Sequence, residues 1–414
     1  MSKINEKSYA ASDRINRFED IDFKMADEMV KKLQRRIAKA QQAGETDKVK
    51  FLQHKLTHSF YAKALAVKIV STNRGKNTSG VDNVVWKTSE DKFNAILNLK
   101  RRGYNPKPLR RVYVPKFYNG MRPLSIPTMQ DRAMQTLYKF ALEPIAEITG
   151  DYHSYAYRHT RSAKGAIIRC VEVLCEDSQP GWILRTDIRS CFDNISHEWI
   201  IKHIPIDKDI LLKFTNNGYI DGNKYHALNK GIPQGGSIST VIFNMVLDEL
   251  ENELIYNCNS DLQFIRYADD IIVIGHNKDI LEKSTIDVLK SFLAKRGLQL
   301  SYEKTFITNI DNGFDFLGFN VTRYGRHIFV TPSKNNIDSL IDCVTDTLIF
   351  YSDASLEYIQ TLLKSRIVGW INYYKGIVDD YSLYDVEYDL CSVICEWTND
   401  TRLSSFVSSL FQSL

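Results

Sequence analysis

Short apolar stretches rich in β-branched residues run through the middle of the chain. Residues 264–267 and 271–274 are two such stretches, and they flank an Ala-Asp-Asp sequence that contains Asp269 and Asp270. This pattern predicts two strands joined by a tight turn, with both carboxylates at its tip. Two like charges beside a buried sheet repel each other, and a divalent cation with hard oxygen ligands would compensate them. A solvated β-turn is the alternative, because Asp is common in turns.

A third apolar stretch, residues 182–188, carries a carboxylate near its end at Asp187. It predicts a strand that leads into a turn and a helix. A strand that delivers Asp187 beside Asp269 would complete a two-metal site. Such sites hold two cations about 4 Å apart and stabilise the attacking and leaving oxygens of a phosphoryl displacement. The sequence therefore predicts an acidic site assembled from separate strands.

The rest of the pattern predicts mostly helices. Apolar residues recur at three- and four-residue steps from about 25 to 70, and Gly44 divides this region into two predicted helices. Further helices are predicted at 131–144, 163–175, 241–254, 278–297 and from 335 onward. Further strands are predicted at 110–116, 121–126 and 298–305, with a hairpin at 314–319.

The composition is that of a globular protein, but the charge is unevenly distributed. Of 414 residues, 43% are hydrophobic and 25% are charged, and the net charge is +4. Residues 1–140 carry 29 Lys and Arg against 13 Asp and Glu, a net of +16, so the remainder carries −12. A basic front part is the electrostatic footprint of a phosphate-rich partner. For the cluster at 31–39 alone, a solvated helix surface is the better explanation.

The cysteines indicate a reducing environment. Their number, seven, is odd, and they form no Cys-x-x-Cys pair. Cys391 and Cys395 lie one helical turn apart, which is more typical of core thiols than of a metal pair. We therefore expect a cytoplasmic location without structural zinc. The first residues lack the apolar core of a signal peptide, and no apolar run approaches about 20 residues, so no membrane span is expected.

A glycine-bearing loop separates the two acidic regions. Gly231 begins the run Gly-Ile-Pro-Gln-Gly-Gly, which precedes a predicted helix. Asp187 with Phe192, this loop, and the Tyr-Ala-Asp-Asp that begins at Tyr267 follow one another along the chain. In this order they are similar to motifs A, B and C of reverse transcriptases.

Other short motifs resemble the bacterial group II intron-like branch of that family, namely Gly80-Val-Asp, Arg122-Pro-Leu and Gly369-Trp-Ile-Asn-Tyr-Tyr. The resemblance runs from about residue 27 to about 374. It implies an α+β fold, the right-hand polymerase, with an antiparallel palm sheet. The domains it implies are a helical N-terminal extension at 1–72, fingers at 73–144, a palm with part of the fingers at 145–330, and a helical thumb at 331–414.

The resemblance also implies an RNA-directed DNA polymerase that uses two Mg²⁺ ions. Asp187, the Ile188 carbonyl and Asp269 are implied to hold them, and Asp270 completes the acidic cluster, either as a further metal ligand or through its charge. The three aspartates are the implied catalytic carboxylates. Lys304 resembles a lysine that protonates the departing pyrophosphate. An exposed, salt-bridged lysine is an alternative of equal weight.

The residues implied to contact nucleotide or template are Lys116, Arg122, Arg158, Phe192 and Gln234. A triphosphate requires point charge and forked donors, which Lys and Arg supply. Phe192 lies where the family places an aromatic ring against the sugar C2′, which leaves no room for a 2′-hydroxyl. A core aromatic is the alternative for Phe192. The assignment of Arg158 is weaker, because Ala156 and His159 stand where the family has glycines.

The substrates and partners implied by the resemblance are dNTPs, an RNA/DNA duplex and a non-coding RNA template. The 414 residues contain no Cys or His metal spacing of an endonuclease. We therefore expect a stand-alone polymerase, which looks like the bacterial reverse transcriptases assigned to antiphage defence. A group II intron maturase and a retron-type enzyme stay open as alternatives. The sequence determines neither the priming mode nor the oligomeric state.

Overall fold

The computed structural model describes residues 15–115, 120–176, 180–258, 261–398 and 400–412. The chain divides into two compact units. The first comprises Met1–His159, Asp187–Asn257 and Asp287–Ser301, and the second comprises Thr160–Thr186, Cys258–Ile286 and Tyr302–Leu414.

Both units mix helices with short strands. The strands in chain order are β1 (Leu109–Pro115), β2 (Met121–Ile126), β3 (Trp182–Asp187), β4 (Tyr219–Asp221), β5 (Lys224–His226), β6 (Gln263–Tyr267), β7 (Asp270–Gly275), β8 (Phe306–Asn309), β9 (Phe314–Phe316), β10 (Phe319–Tyr324) and β11 (His327–Pro332). The helices are α1 (Phe23–Gln42), α2 (Thr46–His58), α3 (Phe60–Thr72), α4 (Ser89–Asn98), α5 (Met129–Thr149), α6 (Ala163–Leu174), α7 (Cys191–Asn194), α8 (His197–His203), α9 (Lys208–Thr215), α10 (Ser239–Leu247), α11 (Leu250–Cys258), α12 (Lys278–Ile280), α13 (Ile286–Ala294), α14 (Lys334–Phe350), α15 (Leu356–Tyr374), α16 (Asp380–Trp397) and α17 (Thr401–Gln412).

Three helices open the first unit, where the sequence pattern predicts two. Gly44 has a φ of +70° and follows α1 as predicted, because glycine tolerates this conformation at a helix end. A second break falls at Ser59, whose backbone is extended with φ −67° and ψ 128°. The pattern does not predict this break, since apolar residues continue at helical spacing on both sides of it. In α1 the apolar residues face inward, and the cations of the 31–39 cluster are exposed.

The first unit also contains a four-stranded sheet in the order β2-β1-β4-β5. The antiparallel pair of β1 and β2 confirms the two strands predicted there. The turn between them and Lys116 lie outside the described residues. The β4–β5 hairpin joins the sheet through a parallel pairing of β4 with β1. Strands of three residues carry too little alternation to be recognised in the sequence.

Several predicted helices differ in extent. The predicted helix at 241–254 is two helices, because Glu249 has a φ of +75° and its N–H donates to Asp151 Oδ1 at 2.8 Å. Helix α5 continues past Pro144 to Thr149. A π-helical turn at Leu281–Thr285 separates α12 from α13, and Gly297 follows three residues after α13 ends.

The second unit is built on a four-stranded sheet in the order β6-β7-β3-β8. Strands β3, β6 and β7 are apolar and largely buried, whereas β8 at the edge of the sheet has no buried residue. Helix α6 packs against β6. The strand predicted at 298–305 is wrong. Leu300 makes only an isolated bridge to Ile188, residues Tyr302–Lys304 form a 3₁₀ turn, and the strand β8 begins at Phe306. The apolar alternation at 298–300 reflects burial of two leucines rather than a ladder.

A three-stranded antiparallel sheet, β11-β10-β9, follows in the second unit. The β9–β10 hairpin is the one predicted at 314–319. Helices α14 to α17 complete the unit, which confirms the helical prediction from 335 onward. Among the described residues, no helix is long and apolar enough to cross a membrane.

Candidate active site

The hairpin of β6 and β7 presents Asp269. Tyr267 pairs with Asp270, so that Ala268 and Asp269 alone form the turn. The prediction that both carboxylates lie at the tip is therefore wrong for Asp270, which is the first residue of β7. Ala268 has a φ of +57°, a conformation that costs a residue other than glycine about 1–2 kcal/mol. Strain of this kind is concentrated at functional sites.

Strand β3 lies next to β7 in the same sheet and ends at Asp187. Side chains alternate along a strand, so Arg185 and Asp187 project from the same face of β3. Arg185 reaches the neighbouring strand, where its Nε and Nη2 donate to the two carboxylate oxygens of Asp270 at 3.3 and 3.2 Å. The predicted acidic residues at the end of β3 and the start of β7 thus belong to adjacent strands.

Arg185 is a residue that the motif comparison missed. Its Nη1 also donates to the backbone oxygen of Asp315 in β9. The signal in the sequence is a cation inside an apolar strand, two positions before Asp187. Charged side chains in such strands require a partner, because burial of an unpaired charge is costly. The partner itself, Asp270, is not identifiable from local sequence.

The backbone around Asp187 is held by the segment before the 3₁₀ turn. Ser301 N–H donates to the backbone oxygen of Asp187 at 2.8 Å, and Arg189 N–H donates to the backbone oxygen of Gln299 at 2.9 Å. Next to Asp187 on β3, the Thr186 and Thr305 hydroxyls are 2.7 Å apart. These bonds orient the end of β3 from which Asp187 projects.

The donor set suits a hard divalent cation. Carboxylate and backbone oxygens are the ligands that Mg²⁺ prefers, and it is usually held by one or two carboxylates together with substrate phosphates rather than by an all-protein cage. Among the described residues, no group of three or more His, Cys, Asp or Glu that could hold a metal is found. The aspartates at the ends of β3 and of the hairpin fit such a partial set.

The glycine loop is fitted closely against the short helix α7, which contains Phe192. Gly231 has a φ of +80°, and a Cβ there would lie 2.6 Å from the Phe192 oxygen. The backbone closes the contact, because Ile232 N–H donates to the Phe192 oxygen at 2.7 Å and Gly231 N–H donates to the Ile195 oxygen at 2.7 Å. Glycine is therefore required at 231 for both conformation and space.

The second half of the loop is held by β2 and α5. Ser125 N–H donates to the backbone oxygen of Gln234 at 2.8 Å, and a Cβ on Gly235 would lie 2.7 Å from the backbone oxygen of Ser125. Ser237 N–H donates to Gln135 Oε1 at 2.9 Å. Gln234 is half-buried. The loop is thus a rigid part of the first unit.

Phe192 stacks on Phe243 of α10. Their ring centroids are 4.4 Å apart and the rings are parallel to within 4°. Phe243 is fully buried, whereas Phe192 is half-buried. One face of the Phe192 ring is therefore committed to packing, as the core-aromatic alternative requires, and the ring is held rigid for any role of its other face.

The remaining predicted contact residues lie in different settings. Arg122 is exposed on β2. The side chain of Arg158 is nearly buried. Its Nε and Nη2 donate to the carboxylate oxygens of Glu147 at 3.0 and 2.8 Å, and its Nη1 donates to the backbone oxygen of Asp151 at 2.6 Å. Lys304 is exposed at the end of the 3₁₀ turn. The roles of these residues stay predictions.

The turn of the β9–β10 hairpin is held by α15. Tyr373 and Tyr374 donate their hydroxyls to the Leu317 and Gly318 oxygens, each at 2.8 Å. Burial raises the pKa of Tyr373 to about 12, so this donor stays protonated in the physiological range. The ring centroids of Tyr374 and Trp370 are 4.4 Å apart. These aromatic residues pack within the unit.

The family follows from a comparison with known proteins. A family model described as reverse transcriptase (RNA-dependent DNA polymerase) matches residues 114–321, and a model of the N-terminal domain of reverse transcriptase matches residues 18–99. The first match covers half of the chain. The chain belongs to the reverse transcriptase family and carries an RNA-directed DNA polymerase domain. The predicted fold class, α+β with a helical N-terminal region, is confirmed.

Individual relatives within the reverse transcriptase family are similar to this chain at 28–29% identity. The chain is 29% identical to protein YkfC of Escherichia coli K12 over 317 residues, 64% of this chain and 82% of YkfC. It is 28% identical to the group II intron-encoded protein LtrA of Lactococcus lactis over 329 residues, 62% of this chain but only 54% of LtrA. The predicted resemblance to group II intron-encoded proteins is confirmed, and the antiphage subtype stays a prediction.

A solved structure is also similar. Telomerase from Candida albicans, in complex with a fragment of telomeric RNA, aligns with 86% of this chain and 66% of its own at 13% identity and a TM-score of 0.42. This degree of likeness carries no functional argument.

Proposed function

We propose that the chain copies a partner non-coding RNA into cDNA and acts in bacterial antiphage defence. The observation that supports the polymerase chemistry is the arrangement of Asp187 and the Asp269 hairpin on adjacent strands of one sheet. The defence role and the dedicated RNA rest on the sequence resemblance. For the domains we propose the bounds given above, with fingers at 73–144 and a thumb from 331.

Two Mg²⁺ ions are the proposed cofactors, with Asp187, the Ile188 carbonyl and Asp269 as their ligands. When bound, the ions supply positive charge that activates the primer 3′-hydroxyl and neutralises the triphosphate. The chain contributes position, because the hydrogen bond to the Asp187 backbone oxygen and the tight turn at Asp269 each fix the main chain that carries one carboxylate. Preorganised charge and position account for most of the rate in phosphoryl transfer.

Other residues are proposed to act on the nucleotide. Lys116 and Arg122 bind the triphosphate, and Lys304 donates a proton to the leaving pyrophosphate. The face of the Phe192 ring that does not stack on Phe243 excludes a 2′-hydroxyl. Gln234 contacts the base region, supported by the rigid loop around it. Arg158 is the weakest of the proposed contacts, because three of its donors already bind Glu147 and the Asp151 backbone.

The N-terminal helices are the proposed contact for RNA. Residues 1–140 have a net charge of +16, and α1 contributes six exposed cations to it, namely Lys24, Lys31, Lys32, Arg35, Arg36 and Lys39. A phosphate backbone is attracted to such a surface in a salt-dependent way.

A maturase role is the second candidate, and one observation favours it. LtrA, a relative at 28% identity, is a group II intron-encoded protein. A maturase would bind intron RNA and assist its folding, with polymerisation secondary. Loss of Asp269 would then leave the RNA function intact.

Sequencing of the RNA and DNA that co-purify with the protein separates the two candidates. Wild type is compared with Asp269→Ala, both expressed from the native locus. Enrichment of one small RNA in both, with its cDNA only in wild type, supports the dedicated-template polymerase, and an increase of that cDNA during phage infection supports defence. Enrichment of intron RNA without any cDNA that depends on Asp269 would overturn the proposal in favour of the maturase.

A further inference from the structure

The side chain of Arg185 is immobilised at every polar atom. Its Nε and Nη2 bind the two oxygens of Asp270, and Nη1 binds the Asp315 backbone oxygen. The guanidinium carbon lies 5.8 Å from the centre of the Phe306 ring. About a quarter of each charged side chain is exposed, 27% for Arg185 and 21% for Asp270. A forked pair with a third bond of this kind is far more constrained than an ordinary surface ion pair.

This arrangement changes what Asp270 can do. A carboxylate that accepts from an arginine at both oxygens has its charge neutralised, and the adjacent guanidinium repels an approaching cation. Asp270 is also the first residue of β7, so a bond to its side chain fixes the position of the preceding turn residue, Asp269. The carboxylate therefore serves to anchor the hairpin.

We propose that Arg185 is a positioning residue that withholds Asp270 from metal coordination and fixes the hairpin that carries Asp269. The metal ligands of the chain are then Asp187, Asp269 and a backbone oxygen, a smaller set than the sequence motif implies. This inference rests on the proposed metal chemistry of the site and adds a division of labour between the paired aspartates.

The third bond of Arg185 extends the constraint to the neighbouring sheet. Asp315 lies in β9, two residues before the turn whose oxygens accept from Tyr373 and Tyr374 of α15. Arg185 and the two tyrosines thus bind backbone oxygens of the same hairpin. The side chain of Arg185 therefore links Asp270 to this hairpin.

Arg189 offers a matched control. It lies two residues after Asp187, as Arg185 lies two residues before it, and its side chain is exposed. Replacement of either arginine by glutamine removes one positive charge close in sequence to Asp187. Only Arg185→Gln also removes the arginine that binds both carboxylate oxygens of Asp270.

The test measures Mn²⁺ binding to the full chain by isothermal titration calorimetry, without nucleotide or nucleic acid. The proteins are wild type, D270N, R185Q, R189Q and the double variant R185Q/D270N. We expect D270N to change the Mn²⁺ dissociation constant by less than about threefold, because this carboxylate is not a ligand. R185Q removes the neutralising arginine from Asp270 and should tighten binding by about tenfold, which corresponds to about 1.4 kcal/mol. The double variant should return to the wild-type value, and R189Q should stay within about threefold because exposed charge is screened.

Two results would overturn the proposal. One is a tenfold or greater weakening of Mn²⁺ binding in D270N, which would make Asp270 a ligand. The other is a tightening in R185Q no larger than in R189Q. Circular dichroism and melting temperature report the fold of each variant, and D270N, which keeps the shape of the side chain, decides the first result even where R185Q fails to fold.

Failure of the proposed function is seen separately. A wild-type chain that binds Mn²⁺ as expected but makes no cDNA on a primed RNA template contradicts the polymerase proposal and leaves the role of Arg185 standing. The converse outcome is that the wild type makes cDNA while D270N loses Mn²⁺ binding. That result contradicts only the role of Arg185.

Discussion

The glycine loop at 231–236 and the hairpin that carries Asp269 are held in different ways. The loop is fixed by backbone hydrogen bonds and by the absence of side-chain atoms, as at Gly231, where a Cβ would meet the Phe192 oxygen. The hairpin is fixed by a charged side chain from another strand, Arg185. Both segments contain a residue with positive φ, Gly231 in the loop and Ala268 in the hairpin.

This difference predicts how each region responds to mutation. A close backbone contact fails when any atom is added, so the loop tolerates few substitutions. An ion pair at a partly exposed site can lose one partner at moderate cost and change its chemistry rather than its fold. Activity should therefore be most sensitive at the hairpin and β3, and stability most sensitive at the loop.

The largest effect is expected at Asp187. Asp187→Asn keeps the size of the side chain but removes the charge that the proposed metal ions need, so cDNA synthesis on a primed RNA template should fall by at least about 100-fold. The melting temperature should change little. Asp193→Asn, an exposed carboxylate in α7, is the charge-matched control and should retain activity. Polymerisation retained in Asp187→Asn would contradict the assignment of the site.

Gly231→Ala tests the loop. The added Cβ combines a positive φ, which costs about 1–2 kcal/mol, with a backbone overlap that costs about 1–3 kcal/mol more. Urea unfolding should show a loss of about 3 kcal/mol in the free energy of unfolding. Gly222→Ala is the control, because Gly222 has a φ of +57° and a Cβ added there would meet nothing within 4 Å, so this variant should lose only about 1 kcal/mol. Equal losses in the two variants would mean that the close contact has no energetic weight.

Phe192→Ala tests the two interpretations of that ring. If the ring excludes a 2′-hydroxyl, the ratio of ribonucleotide to deoxynucleotide incorporation should rise by about tenfold or more, the range for a pocket that gains space. Phe243→Leu, which removes the stacked partner but keeps the Phe192 ring, should change this ratio less. An unchanged ratio in Phe192→Ala, together with a lower melting temperature, would leave only the core role.

The smallest effect is expected for the threonine pair beside Asp187. Thr305→Val removes one hydroxyl of the 2.7 Å contact with Thr186, which is fully buried. Leaving a buried hydroxyl without this bond should cost about 1 kcal/mol in the free energy of unfolding. The double variant Thr186→Val/Thr305→Val should recover part of that loss, because both polar groups are then removed together. A loss in the double variant equal to twice that of the single one would show that the hydroxyls act independently.

The sequence predicted the elements with strong local patterns. The strands around Asp269 and the strand that ends at Asp187 are where apolar stretches rich in β-branched residues place them, and the helices from 335 onward follow their spacing. The errors lie where tertiary contacts override the pattern. Glu249 breaks a predicted helix because Asp151, distant in sequence, accepts from its N–H.

The motifs by themselves determined the family, the acidic residues and the glycine loop. These depend on residue type and spacing within a few positions, which a linear sequence records. Only the tertiary structure decided the partner of each group. Gly231 packs against the backbone of Phe192, the Phe192 ring stacks on Phe243, and Arg185 binds Asp270. Such pairings depend on which strands and helices become neighbours, and that order is set by the packing of the whole unit rather than by any local pattern.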